Sequence, residues 1–205
     1  MTLTVGVLAS GSGTNLQAIL DACASANAPA RVGVVICNVP GVRALERAGA
    51  AGVPHHVVPH VGRSREDFEA LLQQHLEQHG VELLVLAGFM RVLTSDFVRA
   101  WSGRLINIHP SLLPSFTGLH AIRQALDYGV RWTGCTVHFV DEGVDTGPII
   151  AQAVVPIQAD DTEQTLHARV QREEHRLLPE VVRLIAEGRV RIDGRRVLIA
   201  DLPTS

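Results

Sequence analysis

Three polar residues, Asn107, His109 and Asp145, have the types and the spacing needed for oxyanion stabilisation and proton transfer. Residues 105–114 read LINIHPSLLP, an apolar strand followed by Pro110, which ends regular pairing. Asn107 and His109 are two residues apart, so on a strand they point to the same face. An amide donor, an imidazole and a later carboxylate can stabilise an oxyanion and move a proton. For an isolated Asn-x-His, side chains that only satisfy a loop backbone are the more common explanation.

Hydrophobic patterning predicts alternating strands and helices over the first half of the chain. Strands are predicted at residues 3–9, 31–37, 54–58, 83–87 and 104–108, and helices at 16–24, 42–51, 64–79 and 95–101. The pattern then changes to a helix at 121–128, strands at 133–140 and 148–156, a helix at 162–187 and a hairpin at 190–199. Thr162 is a suitable cap for the long helix, which Pro179 could kink or divide. This order predicts an α/β fold with a doubly wound, mostly parallel sheet and mixed topology in its last third.

Composition excludes several classes of function. The net charge of −3 gives no basic field for nucleic acid. All 18 basic residues are Arg, so lysine Schiff-base chemistry and Walker-type phosphate loops are excluded. Cys23, Cys37 and Cys135 form no paired motif, which fits a reducing compartment. The amino-terminal apolar run is too short for a signal peptide or a membrane span. We therefore expect a cytoplasmic protein that binds neither nucleic acid nor membrane.

Residues 10–15 read SGSGTN and join the first predicted strand to the first helix. Two glycines allow close approach of the backbone to a ligand, and a helix start offers N–H groups to a phosphate. Leu16 stands where the dinucleotide fingerprint requires its third glycine, so NAD binding is disfavoured. The alternative is a tight turn in which Thr14 caps the helix.

Two motifs together resemble the active-site signature of the 10-formyltetrahydrofolate-dependent formyltransferases. They are residues 105–114 and the sequence VDTGP at 144–148, which contains Asp145. The resemblance extends from Val5 to about Ala186 and involves several motifs in the same order. It implies a Rossmann-like formyltransferase fold and transfer of a formyl group from 10-formyltetrahydrofolate, a co-substrate, to a primary amine without a metal. The turn at 10–15 resembles the branch that formylates glycinamide ribonucleotide in purine biosynthesis.

The resemblance also implies roles for individual residues. The catalytic set is Asn107, His109 and Asp145, with His120 and His138 in support, although backbone satisfaction explains those two histidines equally well. The ribonucleotide would be bound by Ser12, Gly13, Thr14, Asn15, Gln171 and Glu174. The glutamate of the family matches Glu174 better, but the adjacent Glu173 is an alternative. Folate would be bound by Arg65, Met90, Arg91, Val92, Leu93, Asn107, Asp141, Glu142, Gly143 and Val144.

The chemistry assigns each catalytic residue a task. Asn107 would donate to the formyl oxygen, and a protonated His109 would stabilise the developing charge. Asp145 would favour the charged form of His109 and take the proton of the amine. Cys135 lies in an apolar strand and is expected to be core rather than nucleophile.

Two departures from the family pattern are expected to affect rate and loop stability more than reaction class. Residues 115–117 read SFT before Gly118, where many members carry Lys, an aromatic residue, and Pro or Lys. Cys135 replaces a more usual Thr or Ser.

Histidine spacing suggests a metal only weakly. His55, His56 and His60, and the pair His75 and His79, are spaced somewhat like ligands, but no H-E-x-x-H motif is present. We predict no metal.

The simplest organisation is one formyltransferase domain over residues 1–205. Its phosphate-binding half would span about 1–103, its catalytic and folate half about 104–188, and a short hairpin 189–200. The partners expected are small-molecule substrates, with a monomer or a homodimer as the assembly.

A methionyl-tRNA formyltransferase would add a basic carboxyl-terminal domain and a deformylase an amino-terminal regulatory domain, so chain length opposes both. A non-catalytic nucleotide-binding module would be expected to lack one of the three catalytic residues.

Overall fold

The computed structural model describes residues 2–200, with strands and helices in the predicted order. The strands are β1 (Leu3–Ala9), β2 (Ala30–Cys37), β3 (His55–Val57), β4 (Leu83–Leu86), β5 (Leu105–His109), β6 (Trp132–Phe139), β7 (Ile149–Pro156), β8 (Val190–Asp193) and β9 (Arg196–Ile199). The helices are α1 (Thr14–Cys23), α2 (Arg43–Ala50), α3 (Arg65–Gln78), α4 (Ser95–Ala100), α5 (Ala121–Tyr128) and α6 (Glu163–Ala186).

The strands have the predicted topology. Their order is β3-β2-β1-β4-β5-β6-β7 in one sheet, and β8 and β9 form a second, two-stranded sheet. β1 pairs in parallel with β2 and β4, β2 pairs in parallel with β3, and β7 runs antiparallel to β6. The prediction of a doubly wound, mostly parallel α/β sheet with mixed topology in its last third is confirmed.

The chain clusters into two compact units, one ending at Ile106 and the other beginning at Asn107. In the first unit the strands β1, β2 and β4 are almost continuously buried, as expected for parallel strands covered on both faces. In the second unit α6 packs on β6 and β7. β7 alternates buried and exposed residues over most of its length, because only one face of this strand meets the core. The single domain with halves meeting near residue 103 stays a prediction.

Two element boundaries differ from expectation, and the long helix α6 is not divided. α1 begins two residues early, at Thr14, because Gly13 is its cap with a φ of 68°, so Thr14 does not cap the helix. β5 extends to His109 and therefore carries both Asn107 and His109 within the strand. α6 continues through Pro179, which does not divide it, and Thr162 caps it as predicted. No helix within residues 2–200 is both long and apolar enough to cross a membrane.

Three histidines of β3, α3 and its carboxyl end lie together in the first unit. The ring of His56 stacks on that of His75 with centroids 4.0 Å apart, and its Nε2 lies 3.3 Å from Nε2 of His79. Among residues 2–200 no group of three or more His, Cys, Asp or Glu side chains is arranged to hold a metal ion. Burial and the neighbouring His75, His79 and His55 lower the pKa of His56, because each disfavours the imidazolium.

The histidine cluster is expected to make the protein less stable in mild acid. Since His56 has a lower pKa in the folded chain than its ordinary 6.5, the unfolded chain binds a proton first as pH falls through that value. The free energy of unfolding therefore decreases as the pH drops. We expect His79→Gln to reduce the fall in melting temperature between about pH 7.5 and about pH 5.5 by about 1 °C. Differential scanning calorimetry at several pH values would measure this.

His167→Gln is the matched control, because His167 is an exposed histidine on α6. An equal acid-induced fall in melting temperature for wild type, His79→Gln and His167→Gln would contradict the prediction.

Candidate active site

The structure brings Asn107, His109 and Asp145 together in the second unit. Asn107 and His109 project from the same face of β5, as their spacing predicted. Asn107 Nδ2 donates to Asp145 Oδ1 at 3.5 Å, and His109 Nδ1 lies 3.3 Å from Asp145 Oδ2. The His109 side chain is only 5% exposed and that of Asp145 13%, so the three polar groups meet in a largely dry environment. Electrostatic interactions among them are stronger there than at a solvated surface.

The backbone geometry of residues 141–147 places Asp145. Asp145 itself has a φ of 55°, which is uncommon for a residue with a side chain, and the Gly118 N–H donates to its Oδ2 at 2.7 Å. Asp141 Oδ1 accepts from the Gly143 N–H at 3.1 Å and the Thr146 hydroxyl at 2.6 Å. The Asp141 carboxylate therefore shapes the segment in which Glu142, Gly143 and Val144 are exposed.

His138 orients the Asn107 amide. Its Nδ1 donates to the Phe139 carbonyl at 2.9 Å, because a carbonyl oxygen can only accept. In the neutral ring Nε2 is then an acceptor, and it receives the Asn107 Nδ2 at 3.2 Å while lying 3.6 Å from Asp145 Oδ1. The predicted supporting position of His138 is consistent with these contacts.

His120 has a different position. It is exposed, has a φ of 60° and caps α5 through its backbone. Within residues 2–200, its ring forms no described hydrogen bond with Asn107, His109 or Asp145. A supporting role for His120 stays a prediction.

His109 has acceptors on both sides of its ring. Its Nε2 donates to the Phe116 carbonyl at 2.8 Å, and its Nδ1 faces the Asp145 carboxylate. Phe116 adopts a φ of 54°, and its ring meets Tyr128 edge-on with centroids 5.8 Å apart. The unusual segment at 115–117 thus contributes a main-chain carbonyl to the site. Any residue at position 116 has this carbonyl, whatever its side chain.

Burial and polar contacts have opposite effects on the pKa values of Asp145 and His109. Burial is the largest influence on Asp145 and would raise its pKa, but the contacts with His138, the Gly118 N–H and His109 outweigh it, so the pKa is lowered. For His109 burial lowers the pKa and outweighs the Phe116 carbonyl and Asp145, which raise it. At neutral pH we infer an ionised Asp145 beside a mostly neutral His109. The stabilising charge on His109 was made conditional on its protonation, and Asp145 favours that charged form although burial outweighs it.

Two residues that the sequence analysis did not single out hold the segment after β5. Thr136 Oγ1 donates to the Ser111 carbonyl at 2.7 Å and accepts from the Leu113 N–H at 3.1 Å. Gln152 Nε2 donates to the Leu113 carbonyl and to Thr136 Oγ1, both at 3.0 Å. Thr136 and Gln152 face each other on β6 and β7, so the sheet itself fixes the path toward Phe116.

The turn at residues 10–15 lies in the first unit, between β1 and α1. Ser12 is exposed, Thr14 and Asn15 are half-buried, and Gly13 is buried with a φ of 68°. A Cβ on Gly13 would lie 2.7 Å from Ala44 Cα of α2, so only glycine fits. Arg47, also on α2, donates its Nε to the Ser12 carbonyl at 2.9 Å and adds a positive charge below the turn. No sequence pattern pointed to Arg47, because an Arg on a helix is usually only solvated.

The segment at residues 88–93 follows β4 in the same unit. Met90 is 67% exposed and Val92 60%, so two apolar side chains are presented to solvent rather than used in packing. Arg91 and Leu93 are half-buried, and Arg65 is exposed at the start of α3. Exposed apolar side chains on a loop are a suitable surface for a flat heterocycle.

On α6 the burial pattern distinguishes the two adjacent glutamates. Glu174 is 5% exposed, whereas Glu173 pairs with Arg176 at 3.0 Å near the surface. Gln171, one turn earlier, is half-buried. Glu174 therefore lies on the inner face of α6, and its assignment to the ribonucleotide stays a prediction.

Cys135 is part of the core, as predicted. It is fully buried on β6, and burial followed by the charges of Glu174 and Glu173 raises the pKa of its thiol to about 12. A thiol with this pKa is not a nucleophile at neutral pH.

Comparisons with known proteins identify the family. The model of the family "Formyl transferase" matches residues 3–182. The chain is 51% identical over 187 residues to the Drosophila melanogaster "Trifunctional purine biosynthetic protein adenosine-3", covering 90% of this chain but only 14% of that protein. It is 42% identical over 203 residues to the Escherichia coli "Phosphoribosylglycinamide formyltransferase", covering 95% of this chain and 96% of that one. The crystal structure of glycinamide ribonucleotide transformylase 1 from Symbiobacterium toebii superposes with a TM-score of 0.95 at 52% identity, over 98% of this chain and 95% of that one. The chain belongs to the formyl transferase family.

Proposed function

We propose that the protein transfers the formyl group of 10-formyltetrahydrofolate to the amine of phosphoribosylglycinamide, giving the formylated ribonucleotide and tetrahydrofolate in purine biosynthesis. The observation that carries the proposal is the meeting of Asn107, His109 and Asp145 at the end of β5 in a member of the formyl transferase family. The full-length match to the Escherichia coli enzyme supports this substrate pair. This chain spans only 14% of the Drosophila melanogaster trifunctional protein, so the proposal concerns formyl transfer alone.

Asn107 is proposed to stabilise the oxyanion. When the neutral amine attacks the formyl carbon, the carbonyl electron pair moves to oxygen, and a hydrogen-bond donor aimed at that oxygen lowers the barrier. The Asn107 Nδ2 contact with Asp145 Oδ1 is long, at 3.5 Å, and therefore weak. This N–H is the one available to the oxyanion, while His138 Nε2 retains the other and fixes the amide plane.

His109 and Asp145 are proposed to move the proton. The attacking nitrogen becomes an ammonium that must lose a proton, and N10 of the folate must gain one as its bond to the formyl carbon breaks. The neutral His109 directs the Nδ1 lone pair at an ionised carboxylate 3.3 Å away, so one proton can be shared between them. Once protonated, His109 also bears a positive charge that stabilises the oxyanion. The Phe116 carbonyl and the Gly118 N–H keep both groups in place.

The remaining site residues are proposed from the family match and their positions. Folate is assigned to Met90, Arg91, Val92 and Leu93 with Arg65, and to Asn107 and residues 141–144. The ribonucleotide is assigned to Ser12, Gly13, Thr14 and Asn15 with Gln171 and Glu174. The exposed apolar pair Met90 and Val92 supports the first assignment, and the glycine turn at the start of α1 supports the second.

A methyl group at Gly13 is expected to weaken binding of the ribonucleotide. Gly13→Ala introduces a Cβ 2.7 Å from Ala44 Cα at a φ of 68°, so the turn must shift. We expect the KM for the ribonucleotide to rise by about tenfold or more, whereas the KM for the folate changes little. Steady-state kinetics with each substrate varied in turn would measure this.

Gly11→Ala is the matched control in the same turn. A Cβ on Gly11 meets no protein atom within 4 Å, so Gly11→Ala should not strain the turn, and its ribonucleotide KM should rise less than that of Gly13→Ala. An unchanged ribonucleotide KM in folded Gly13→Ala would remove the turn from the ribonucleotide site.

The function itself is tested by incubating the purified protein with 10-formyltetrahydrofolate, with and without phosphoribosylglycinamide, and following tetrahydrofolate by absorbance. Turnover that requires the ribonucleotide supports the proposal. Turnover without it would indicate a deformylase, and no turnover under either condition would favour a non-catalytic binding module.

We also propose a cytoplasmic location, since all three cysteines are free thiols and this fits a reducing compartment. A monomer or a homodimer stays the prediction for the assembly.

A further inference from the structure

The segment at residues 88–93, the proposed folate-binding segment, is held at both ends by polar side chains from elsewhere in the first unit. Its apolar residues Met90 and Val92 are mostly exposed and contribute little packing. Its backbone conformation must therefore be fixed by other contacts. Polar side chains hold it at Met90 and at Thr94, the residue that follows it.

Ser10, the first residue after β1, holds the beginning of the segment. Its N–H donates to the Gly88 carbonyl at 3.1 Å, and its hydroxyl oxygen accepts from the Met90 N–H at 2.8 Å. The same hydroxyl donates to Asn38 Oδ1 at 2.7 Å. Asn38, the first residue after β2, is 4% exposed, and its Nδ2 contacts Nδ1 of His60, three residues after β3, at 3.2 Å. Ser10 is therefore itself held by a buried side chain.

Glu69 holds the end of the segment from α3. This carboxylate is 6% exposed, and both of its oxygens bind one residue. Oε1 accepts from the Thr94 N–H at 2.7 Å, and Oε2 accepts from the Thr94 hydroxyl. Phe68, the preceding residue, stacks on Phe89 with centroids 6.4 Å apart. Burying a carboxylate is costly unless it is well paired, and the cap of α3 is already supplied by Ser64, so the contacts of Glu69 serve Thr94 rather than its own helix.

We propose that Ser10 and Glu69 are positioning residues that fix the two ends of residues 88–93 and thereby set the affinity for the reduced folate. The inference rests on the proposed function. A loop that recognises a flat heterocycle through its backbone and apolar side chains binds more tightly when its conformation is fixed in advance, because less entropy is lost on binding. Neither residue needs to touch the folate.

Two matched pairs of variants test the proposal. Ser10→Ala removes the hydroxyl and Ser10→Thr keeps it, while Glu69→Met removes both acceptors at similar volume and Glu69→Gln keeps the acceptor for the Thr94 N–H. We expect Ser10→Ala and Glu69→Met each to raise the KM for 10-formyltetrahydrofolate about tenfold, equivalent to about 1.4 kcal/mol. The kcat and the KM for the ribonucleotide should stay within about twofold of wild type, and Ser10→Thr and Glu69→Gln should restore most of the affinity.

Calorimetric titration with tetrahydrofolate gives a readout independent of turnover, and melting temperatures identify variants that only destabilise the fold. If Glu69→Met does not fold, the pair Ser10→Ala and Ser10→Thr carries the test. Unchanged folate affinity in folded Ser10→Ala would overturn the proposal, as would equal rises in both KM values. Failure of the wild-type protein to bind or use the folate would instead overturn the proposed function.

Discussion

Asp145→Asn is expected to lower kcat by about 10³-fold while the protein remains folded. The substituted amide has nearly the same shape, and its oxygen can still accept the Gly118 N–H that Asp145 Oδ2 accepts at 2.7 Å. It cannot take a proton, and it removes the negative charge 3.3 Å from His109 Nδ1. Both proposed steps of proton movement are thereby lost at once. Steady-state kinetics, with circular dichroism to check the fold, would measure the effect.

The same variant changes the titration of His109. Because Asp145 raises the pKa of His109 against the stronger effect of burial, its removal should lower that pKa further. NMR titration of the ring would detect the shift. Asp127→Asn is the matched control, since Asp127 is an exposed carboxylate paired with Arg123 on α5. A decrease in kcat of less than about tenfold, or an unchanged His109 pKa, would contradict the role given to Asp145.

The positions of Asn107 and His109 could be predicted because they depend on local rules. An apolar run ended by Pro110 predicted a strand, and a spacing of two predicted a shared face. The contact with Asp145 could not be derived from periodicity, because 36 or more residues separate it from both and only the family resemblance paired them. The error of one residue at the end of β5 is of the usual size for a boundary.

The main-chain groups of the site could not be predicted. The Phe116 carbonyl and the Gly118 N–H contact His109 and Asp145, and every residue other than proline has both groups. Their positions depend on left-handed conformations at Phe116 and Asp145, which are uncommon for these residue types. Residues 115–117 depart from the family pattern in their side chains. However, this segment contacts His109 through a backbone atom, the Phe116 carbonyl oxygen.

Which polar side chains are buried could not be predicted from the sequence either. Glu69 resembles any charged residue on a helix surface, and only the packing of α3 reveals that its carboxylate is buried against Thr94. The family resemblance favoured Glu174 over Glu173, but which of the two side chains is buried could not be derived from the sequence. In each case the deciding quantity is tertiary, because helical periodicity fixes the angle between residues but not which face meets the core.

Asn107→Asp is expected to lower kcat by about 10³-fold at neutral pH. The variant places a carboxylate where the amide N–H is proposed to meet the oxyanion, and it removes the donor to His138 Nε2. It also sets a second carboxyl near Asp145 Oδ1, which Asn107 Nδ2 contacts at 3.5 Å. Two carboxyl groups so close cannot both ionise easily, so the pKa of one of them rises.

The pH dependence of the residual activity distinguishes loss of a donor from general disruption. The introduced carboxyl can donate a hydrogen bond only when it is protonated, so kcat of Asn107→Asp should increase as the pH falls from about 8 to about 6. Asn27→Asp, at an exposed position after α1, should leave both kcat and its pH profile unchanged. A residual activity that is flat or decreases over this range would argue against Asn107 as the oxyanion donor, because then protonation of the new side chain would restore nothing.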